Sequence, residues 1–299
     1  MVSGLTHTPV LLQSVLDILA PHKGETVLDV TLGLGGHARE FLRHVGSTGQ
    51  LIGLDADAEN LALAHKTLGE HPNATAMHAN FSSLPSLSLP KADVLFADLG
   101  LSSPHIDDPA RGFTFREEVP LDLRYDRTQG RTAAAWLEKS TTEEIAGVLR
   151  EFGELPSVMR LARCLKERLP TTTTAVVLAA ESVYRWQAKE MLPRIFQALR
   201  IAVNDEMGAL DVLLTSGPAL LKPGGRMGVI SYHSLEDRRV KQAFRLLVTP
   251  AKDERTGAVR IPARFSLLTR KAVVPSEDEI RTNPRSRSAK FRAILHLDS

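Results

Sequence analysis

The stretch Asp29-Val30-Thr31-Leu32-Gly33-Leu34-Gly35-Gly36-His37 decides how this chain is read. Ahead of it, Val27 and Leu28 begin a short apolar run that ends in an acid. Behind it, an amphipathic helical pattern opens at Ala38. A strand, a glycine-rich turn and a helix in that order let a ligand approach the backbone more closely than side chains would permit. About twenty residues after the last glycine, a second apolar run, Leu51-Ile-Gly-Leu-Asp55, again ends in an acid, where nucleotide folds grip a ribose diol. Glycines alone would be weak evidence; with the following strand and acid they signal a nucleotide-binding fold.

The same spacing separates ligands. A dinucleotide fingerprint reads G-x-G-x-x-G and holds a pyrophosphate at the helix N-terminus. Here the spacing is G-x-G-G, and Asp29 at the strand end repels a phosphate but suits an amine. S-adenosylmethionine offers an ammonium, a sulfonium, a ribose and an adenine, and no phosphate. Asp29, Gly33, Gly35, Gly36 and His37 therefore read as the methionine side of a pocket for it, and Asp55 as the ribose acceptor. A glycine turn with no ligand is the alternative.

At 299 residues the chain is long enough for one large domain or two smaller ones. With 37 Lys and Arg against 35 Asp and Glu, the net charge is +2, so a nucleic-acid partner must be met by a local patch. The single cysteine, Cys164, excludes an intrachain disulfide framework and a cysteine-based zinc cluster, and it fits a reducing compartment. Its helical surroundings make it a structural thiol. No basic leader precedes an apolar stretch, and no uncharged apolar run approaches the ~18 residues of a membrane span, so a cytoplasmic location is expected. The ten histidines are scattered, and no metal site is expected.

The first hundred residues alternate helix and strand. The patterns predict helices over 11–19, 38–45 and 58–68, and strands over 27–30, 51–54, 75–78 and 93–98. Such alternation implies an α/β doubly wound sheet with ligands at the carboxyl ends of its strands. From Pro104 the rhythm breaks into a turn-rich stretch and then helices: Ser140-Thr-Thr-Glu143 starts one that Gly153 stops, and 157–168, 174–185 and 193–203 continue. Strands resume at 227–231, after Pro223-Gly-Gly225, and at 291–295. The economical division is a first part of the α/β domain over 1–103, a helical insertion over 104–203 as the substrate-recognition domain, and a second α/β part over 204–299.

Three further stretches carry chemistry. Asp98-Leu-Gly-Leu-Ser-Ser103-Pro-His105 leaves the fourth strand across the cleft from the glycine turn. There Asp98 and Ser102 are candidate catalytic residues, able to hold the N–H groups of an amine that attacks a methyl group. Turn and helix caps are the alternative reading of the same residues. Ser231-Tyr-His233-Ser-Leu-Glu-Asp237 ends the fifth strand, with His233 as a third catalytic candidate. Arg281, Arg285, Arg287 and Lys290 lie in a basic stretch over 281–292, and Arg111 and Arg116 stand beside Phe113 and Phe115. Two cationic stretches, one with aromatics for stacking, favour nucleic acid over a merely solvated face.

Together these motifs resemble the bacterial 16S ribosomal RNA cytosine-N4 methyltransferases over nearly the whole chain. The likeness is carried by His7-Thr-Pro-Val-Leu-Leu12, Asp29 to His37, Asp98-Leu-Gly-Leu-Ser-Ser-Pro104, Arg111-Gly-Phe113 and Pro120-Leu-Asp122. It continues in Phe196-Gln-Ala-Leu-Arg-Ile201, Asn204-Asp-Glu206, Pro223-Gly-Gly-Arg226, His233-Ser-Leu-Glu-Asp237 and Asn283-Pro-Arg285. The resemblance implies a class I, Rossmann-like, S-adenosylmethionine-dependent methyltransferase fold with an inserted helical domain. It also implies methylation of the exocyclic amine of a cytidine in the decoding region. Cofactor contacts carry over to Gly35, Gly36, His37, Asp55, Phe81, Asp98 and His105. The implied partner is 16S rRNA or the small ribosomal subunit, with no membrane, and a homodimer stays open. The chain departs from the family pattern at Gly153-Glu-Leu-Pro156, at Glu190-Met-Leu-Pro-Arg194 and at His105, where the family commonly has glutamine. Three competing readings remain: a small-molecule methyltransferase, a nicotinamide dehydrogenase, and a non-catalytic RNA-binding assembly factor.

Overall fold

The computed structural model describes residues 9–69, 71–252 and 259–298. The chain runs through α1 (Leu12–Leu19), β1 (Thr26–Asp29), α2 (Gly36–Val45), β2 (Gln50–Asp55), α3 (Ala58–Leu68), β3 (Ala74–His78) and β4 (Ala92–Asp98). Helices follow: α4 (Ser103–Asp107), α5 (Ala133–Lys139), α6 (Thr142–Glu151), α7 (Val158–Arg168), α8 (Thr173–Tyr184) and α9 (Ala188–Asn204). Then come α10 (Glu206–Ser216), β5 (Leu221–Ser231), α11 (Ser234–Leu247) and a short ribbon of β6 (Ala251–Lys252) with β7 (Val259–Ile261). The chain closes with β8 (Phe265–Leu267), α12 (Glu277–Thr282) and β9 (Lys290–His296). It forms two compact units: Met1–Gly100 with Gly208–Ser299, and Leu101–Met207.

The first unit is built on a seven-stranded sheet of order β3-β2-β1-β4-β5-β9-β8. Strands β1 to β5 are parallel, while β9 runs antiparallel to β5 and to β8. Strand order reverses at β1, which has β2 on one side and β4 on the other, so the crevice at the carboxyl ends of β1 and β4 is the topological place for a ligand. The local reasons are plain. Strand β4 is covered on both faces, which is why Val94, Leu95, Phe96 and Ala97 form an unbroken apolar run. Helix α2 buries Ala38, Phe41, Leu42 and Val45, one stripe at helical spacing. Gly53 in β2 has no room for a side chain: a Cβ there would lie 2.6 Å from Leu32. That absence lets the loop after β1 fold down on β2.

The second unit packs α5 to α9 around Leu137, Ile145, Leu149, Leu161, Leu165, Val176, Ile195 and Leu199. Sequence pattern starts its last helix at Pro193, yet α9 begins at Ala188 and contains that proline. The buried stripe Ala188, Met191, Leu192, Ile195 runs straight through it, and packing outweighs one lost backbone bond. The two departures from the family pattern turn out to be partners. Arg194 donates from Nε to the Gly153 carbonyl at 2.7 Å and from Nη2 to that of Glu154. Gln197 and Tyr184 hold the carbonyls of Phe152 and Pro156.

The turn-rich stretch before α5 is also ordered by specific bonds. A Cβ at Gly112 (φ +78°) would meet the Pro120 carbonyl at 2.7 Å, so glycine there joins Arg111-Gly-Phe113 to Pro120-Leu-Asp122. Asn204 then clamps the backbone: its Oδ1 accepts from Tyr125 N at 2.7 Å, and its Nδ2 donates to the Leu123 and Arg200 carbonyls. Replacing Asn204 with Ala leaves part-buried backbone groups without these partners, a cost of about 2–3 kcal/mol. Urea denaturation of the Asn204→Ala variant is expected to show that loss, and a midpoint equal to wild type would show that the clamp is idle.

Candidate cofactor site

The glycine turn is shaped from both sides. Gly33 and Gly35 take left-handed φ values of 54° and 80°. The Gly33 N–H donates to Asp55 Oδ2 at 2.7 Å, tying the turn after β1 to the tip of β2. Asp55 Oδ1 accepts from Asp57 N at 2.8 Å, so both carboxylate oxygens are oriented. At Gly36 a Cβ would sit 2.8 Å from Pro9, which therefore packs directly on the start of α2. The next residue of that segment, Val10, accepts a hydrogen bond from His37 Nε2 at 3.0 Å. Of the motif His7-Thr-Pro-Val-Leu-Leu12, His7 and Thr8 lie outside the described residues.

Three carboxyl groups gather at the tips of neighbouring strands. Asp29 is in register with Gly53 of β2 and Phe96 of β4, so Asp55 and Asp98 each stand two residues farther along. By the period of two, all three project from one side of the sheet. Burial pushes the Asp29 carboxyl up from 3.8 to about 7; the Thr31 N–H opposes that rise, while Asp98 and Asp55 add to it. Asp98 is likewise raised to about 7, by burial first and by Glu236, against the hydroxyl of Tyr232, which donates to its Oδ1 at 2.9 Å. His37 Nδ1 lies 3.7 Å from Asp98 Oδ2. Buried acids whose ionisation is this costly fit a cationic ligand, and the side-chain-free glycine turn fits one that approaches the backbone. These residues suit the ammonium, sulfonium and ribose of S-adenosylmethionine. Phe81, half-buried at the start of a short 3-10 turn after β3, stands next along the same edge.

Other candidates have different work. His233 caps α11: its Nδ1 accepts from Glu236 N at 3.4 Å and its Nε2 lies 3.2 Å from Glu236 Oε1. The same Glu236 accepts from Tyr232 N and His233 N, which completes a reciprocal cap. In the second unit, Ser102 N donates to His105 Nδ1 at 3.1 Å, and Ser102 Oγ lies 3.0 Å from the same nitrogen. Both serve the start of α4. The His105 ring stacks on Tyr125 at 5.1 Å.

The basic residues also divide. Arg111 is expected at the surface but is 1% exposed, with Nη1 donating to the Tyr125 carbonyl, so it cannot meet a phosphate there. Lys290 pairs with Asp237, which also takes Arg292 at 2.7 Å, and Arg281 pairs with Asp278. The stretch 281–292, free of acids in sequence, meets acids in space. Arg116, Arg285 and Arg287 are exposed. Sequence reasoning missed Tyr232, 134 positions from the acid it holds.

Because the folded value of Asp29 lies above its unfolded one, its favourable contribution is present below about pH 4 and is lost as pH rises to about 7. Above that range the ligand-free protein carries a buried anion. Asp29→Asn removes it, so the variant is expected to be more stable than wild type at pH 8, by at most about 4 kcal/mol, with the gain shrinking towards pH 4. Chemical denaturation at both pH values measures this, and a pH-independent difference would remove ionisation of Asp29 as the cause.

No helix among the described residues is long and apolar enough to cross a membrane. The ribosomal RNA small subunit methyltransferase H of Myxococcus xanthus (strain DK1622) is 41% identical over 307 residues, covering 99% of this chain and 99% of the relative. The protein of that name from Halorhodospira halophila (strain DSM 244 / SL1) is 41% identical over 312 residues, covering 99% and 95%. Among solved structures, an rRNA methylase from Streptococcus thermophilus aligns over 98% of this chain and 99% of its own, at 11% identity and a TM-score of 0.42. The model of the MraW methylase family matches residues 4–297. With a class I, Rossmann-like sheet, the chain belongs to the MraW methylase family and is an S-adenosylmethionine-dependent methyltransferase.

Proposed function

We propose that this enzyme methylates the exocyclic N4 amine of a specific cytidine in the decoding region of 16S ribosomal RNA. The observation that supports it most directly is Asp98: a carboxyl at the tip of β4, buried enough to favour its proton-bearing form, yet with 23% of its side chain exposed. A cytosine amine is a poor nucleophile because its lone pair is delocalised into the ring. A carboxylate that accepts its N–H groups localises that pair as the methyl group is attacked. When bound, S-adenosylmethionine supplies a methyl group already activated on sulfonium. Asp55 holds the ribose hydroxyls, its oxygens fixed by Gly33 N and Asp57 N, and Asp29 holds the ammonium. Gly35 and Gly36 keep the approach clear, while Asp98 receives the amine.

The RNA substrate is supported by the family resemblance and the relatives' names. We assign substrate recognition to the helical unit over 104–203, and phosphate contacts to exposed Arg116, Arg285 and Arg287. Incubating unmodified small subunits and, separately, free 16S rRNA with methyl-labelled S-adenosylmethionine, followed by nucleoside analysis, is expected to yield N4-methylcytidine. Label on free nucleoside alone would indicate a small-molecule enzyme, and RNA binding without label an assembly factor.

Phosphate contacts position RNA without reading its bases. Arg285→Ala combined with Arg287→Ala is therefore expected to weaken RNA binding, with the salt slope reduced by about 0.7–0.9 per lost contact and cofactor affinity unchanged. RNA affinity over a salt series decides the matter. Identical lines for variant and wild type would make this a solvated face.

A further inference from the structure

Asp98 is held from two sides by groups that differ in what they can do with a proton. On one side, the Tyr232 hydroxyl donates to Oδ1 at 2.9 Å. The ring that carries it packs over Gly100, where a Cβ would come within 3.2 Å, and its backbone N–H is anchored on Glu236 Oε2 at 2.8 Å. Tyr232 is thus fixed at both ends. On the other side, His37 Nε2 contacts the Val10 carbonyl. A carbonyl oxygen only accepts, so Nε2 carries the hydrogen, and in the neutral ring Nδ1 presents a lone pair. That nitrogen faces Asp98 Oδ2 at 3.7 Å. A lone pair and a carboxylate oxygen facing each other repel unless a proton lies between them.

We propose that Tyr232, Asp98 and His37 form one proton-holding unit, in which Tyr232 fixes Oδ1 and the Oδ2–Nδ1 gap takes the proton shed by the methylated amine. Tyr232 is a positioning residue; Asp98 is the group that touches the amine. The inference rests on the amine-methylating function proposed above. The step balances: the amine nitrogen forms a bond to the methyl carbon, the carbon–sulfur bond breaks with its electron pair left on sulfur, and the proton lost by nitrogen goes to Oδ2. His37 Nδ1 then shares it as the ring becomes imidazolium beside a carboxylate. Around His37, Phe96 at 4.7 Å and Phe41 at 6.5 Å make an imidazolium costly, and the carboxylate of Asp98 offsets that cost. Among the described residues, Glu236 from α11 and Asp29 from β1 also act on Asp98, and Glu279 from α12 acts on Tyr232, all acids that favour keeping the proton in the gap.

The unit is testable in the ligand-free protein, separately from methylation. Carbon-13 titration of aspartate carboxyl groups in the full chain, with Asp98→Asn for assignment, is expected to place the Asp98 midpoint near neutrality. Tyr232→Phe removes the donor that favours the carboxylate and is expected to raise that midpoint by about one unit, a tenfold change in the ionisation constant. Nitrogen-15 spectra of His37 should show hydrogen on Nε2, and its titration should change in Asp98→Asn. In single-turnover methylation of unmethylated small subunits at saturating cofactor, Tyr232→Phe is expected to move the acidic limb of the rate profile up by the same amount. An unmoved Asp98 midpoint in a folded Tyr232→Phe protein overturns the unit, as does a His37 titration indifferent to Asp98→Asn. Absence of methylation by wild type, with the titrations as expected, instead overturns the function proposed above and leaves the proton-holding geometry in place.

Discussion

Everything at the carboxyl edge of this sheet follows from acids placed at the ends of adjacent parallel strands. Asp29, Asp55 and Asp98 terminate β1, β2 and β4, which lie side by side. Such a grouping opposes folding: burial above all raises Asp29 and Asp98 to about 7, with Asp98 and Asp55 adding to the rise at Asp29 and Glu236 to that at Asp98. It is tolerable because partial positive charge is supplied locally, by Gly33 N on Asp55 and by Thr31 N on Asp29. Thr31 serves twice, since its hydroxyl also accepts from Asp98 N at 2.6 Å. A cation placed at these strand ends would relieve the remaining cost, which is the physical reason such an edge prefers one.

The glycine turn depends in its turn on a segment remote in sequence. Pro9 and Val10 press on Gly36 and His37, and Leu11, in the left-handed region at φ 55°, donates its N–H to Glu279 Oε1 at 2.7 Å. Glu279 belongs to α12, in the stretch that carries Arg281 and leads to Arg285. The segment that packs on the glycine turn is thus anchored by the helix that opens the basic segment. Arg226 does comparable work at the opposite edge of the sheet, holding the Leu19 and Ala20 carbonyls that end α1 and pairing with Glu25. Pro223-Gly-Gly-Arg226 is therefore a scaffold motif.

What the sequence disclosed was whatever is written in local spacing. Strand, turn, helix and the two acids after β1 and β2 need only a short window, and Asp98 needs only the apolar run before it. Caps use the same residue types as active sites, which is why Ser102 and His233 drew attention and proved to be tied to His105 and Glu236. Partnerships across the chain left no local trace. Nothing near Asp98 announces Tyr232, and nothing in 281–292 announces Asp237. Strand β8 escaped because three residues carry no periodicity, and α9 started early because a buried stripe overrode its proline.

Arg111 shows most sharply how a motif can be right and its first physical reading wrong. Beside Phe113 and ahead of Arg116 it looks like a cation placed for RNA, yet it is among the largest fully buried side chains. Its carbonyl accepts from Leu123 N at 3.1 Å, and Leu123 has φ 64°, a conformation costing a non-glycine residue about 1–3 kcal/mol. Such strain persists only where the surroundings over-determine it. Here they do: Gly112 lies against Pro120 and Asp122, Asp122 grips Arg124 at 2.7 and 2.9 Å, and Asn204 holds the backbone on both sides of Arg124. Three motifs scattered over nearly a hundred residues thus converge on one strained loop that turns Tyr125 onto His105. Within the helical unit, then, the buried motif cation orders the loop, while the ordered loop leaves Arg116 in solvent.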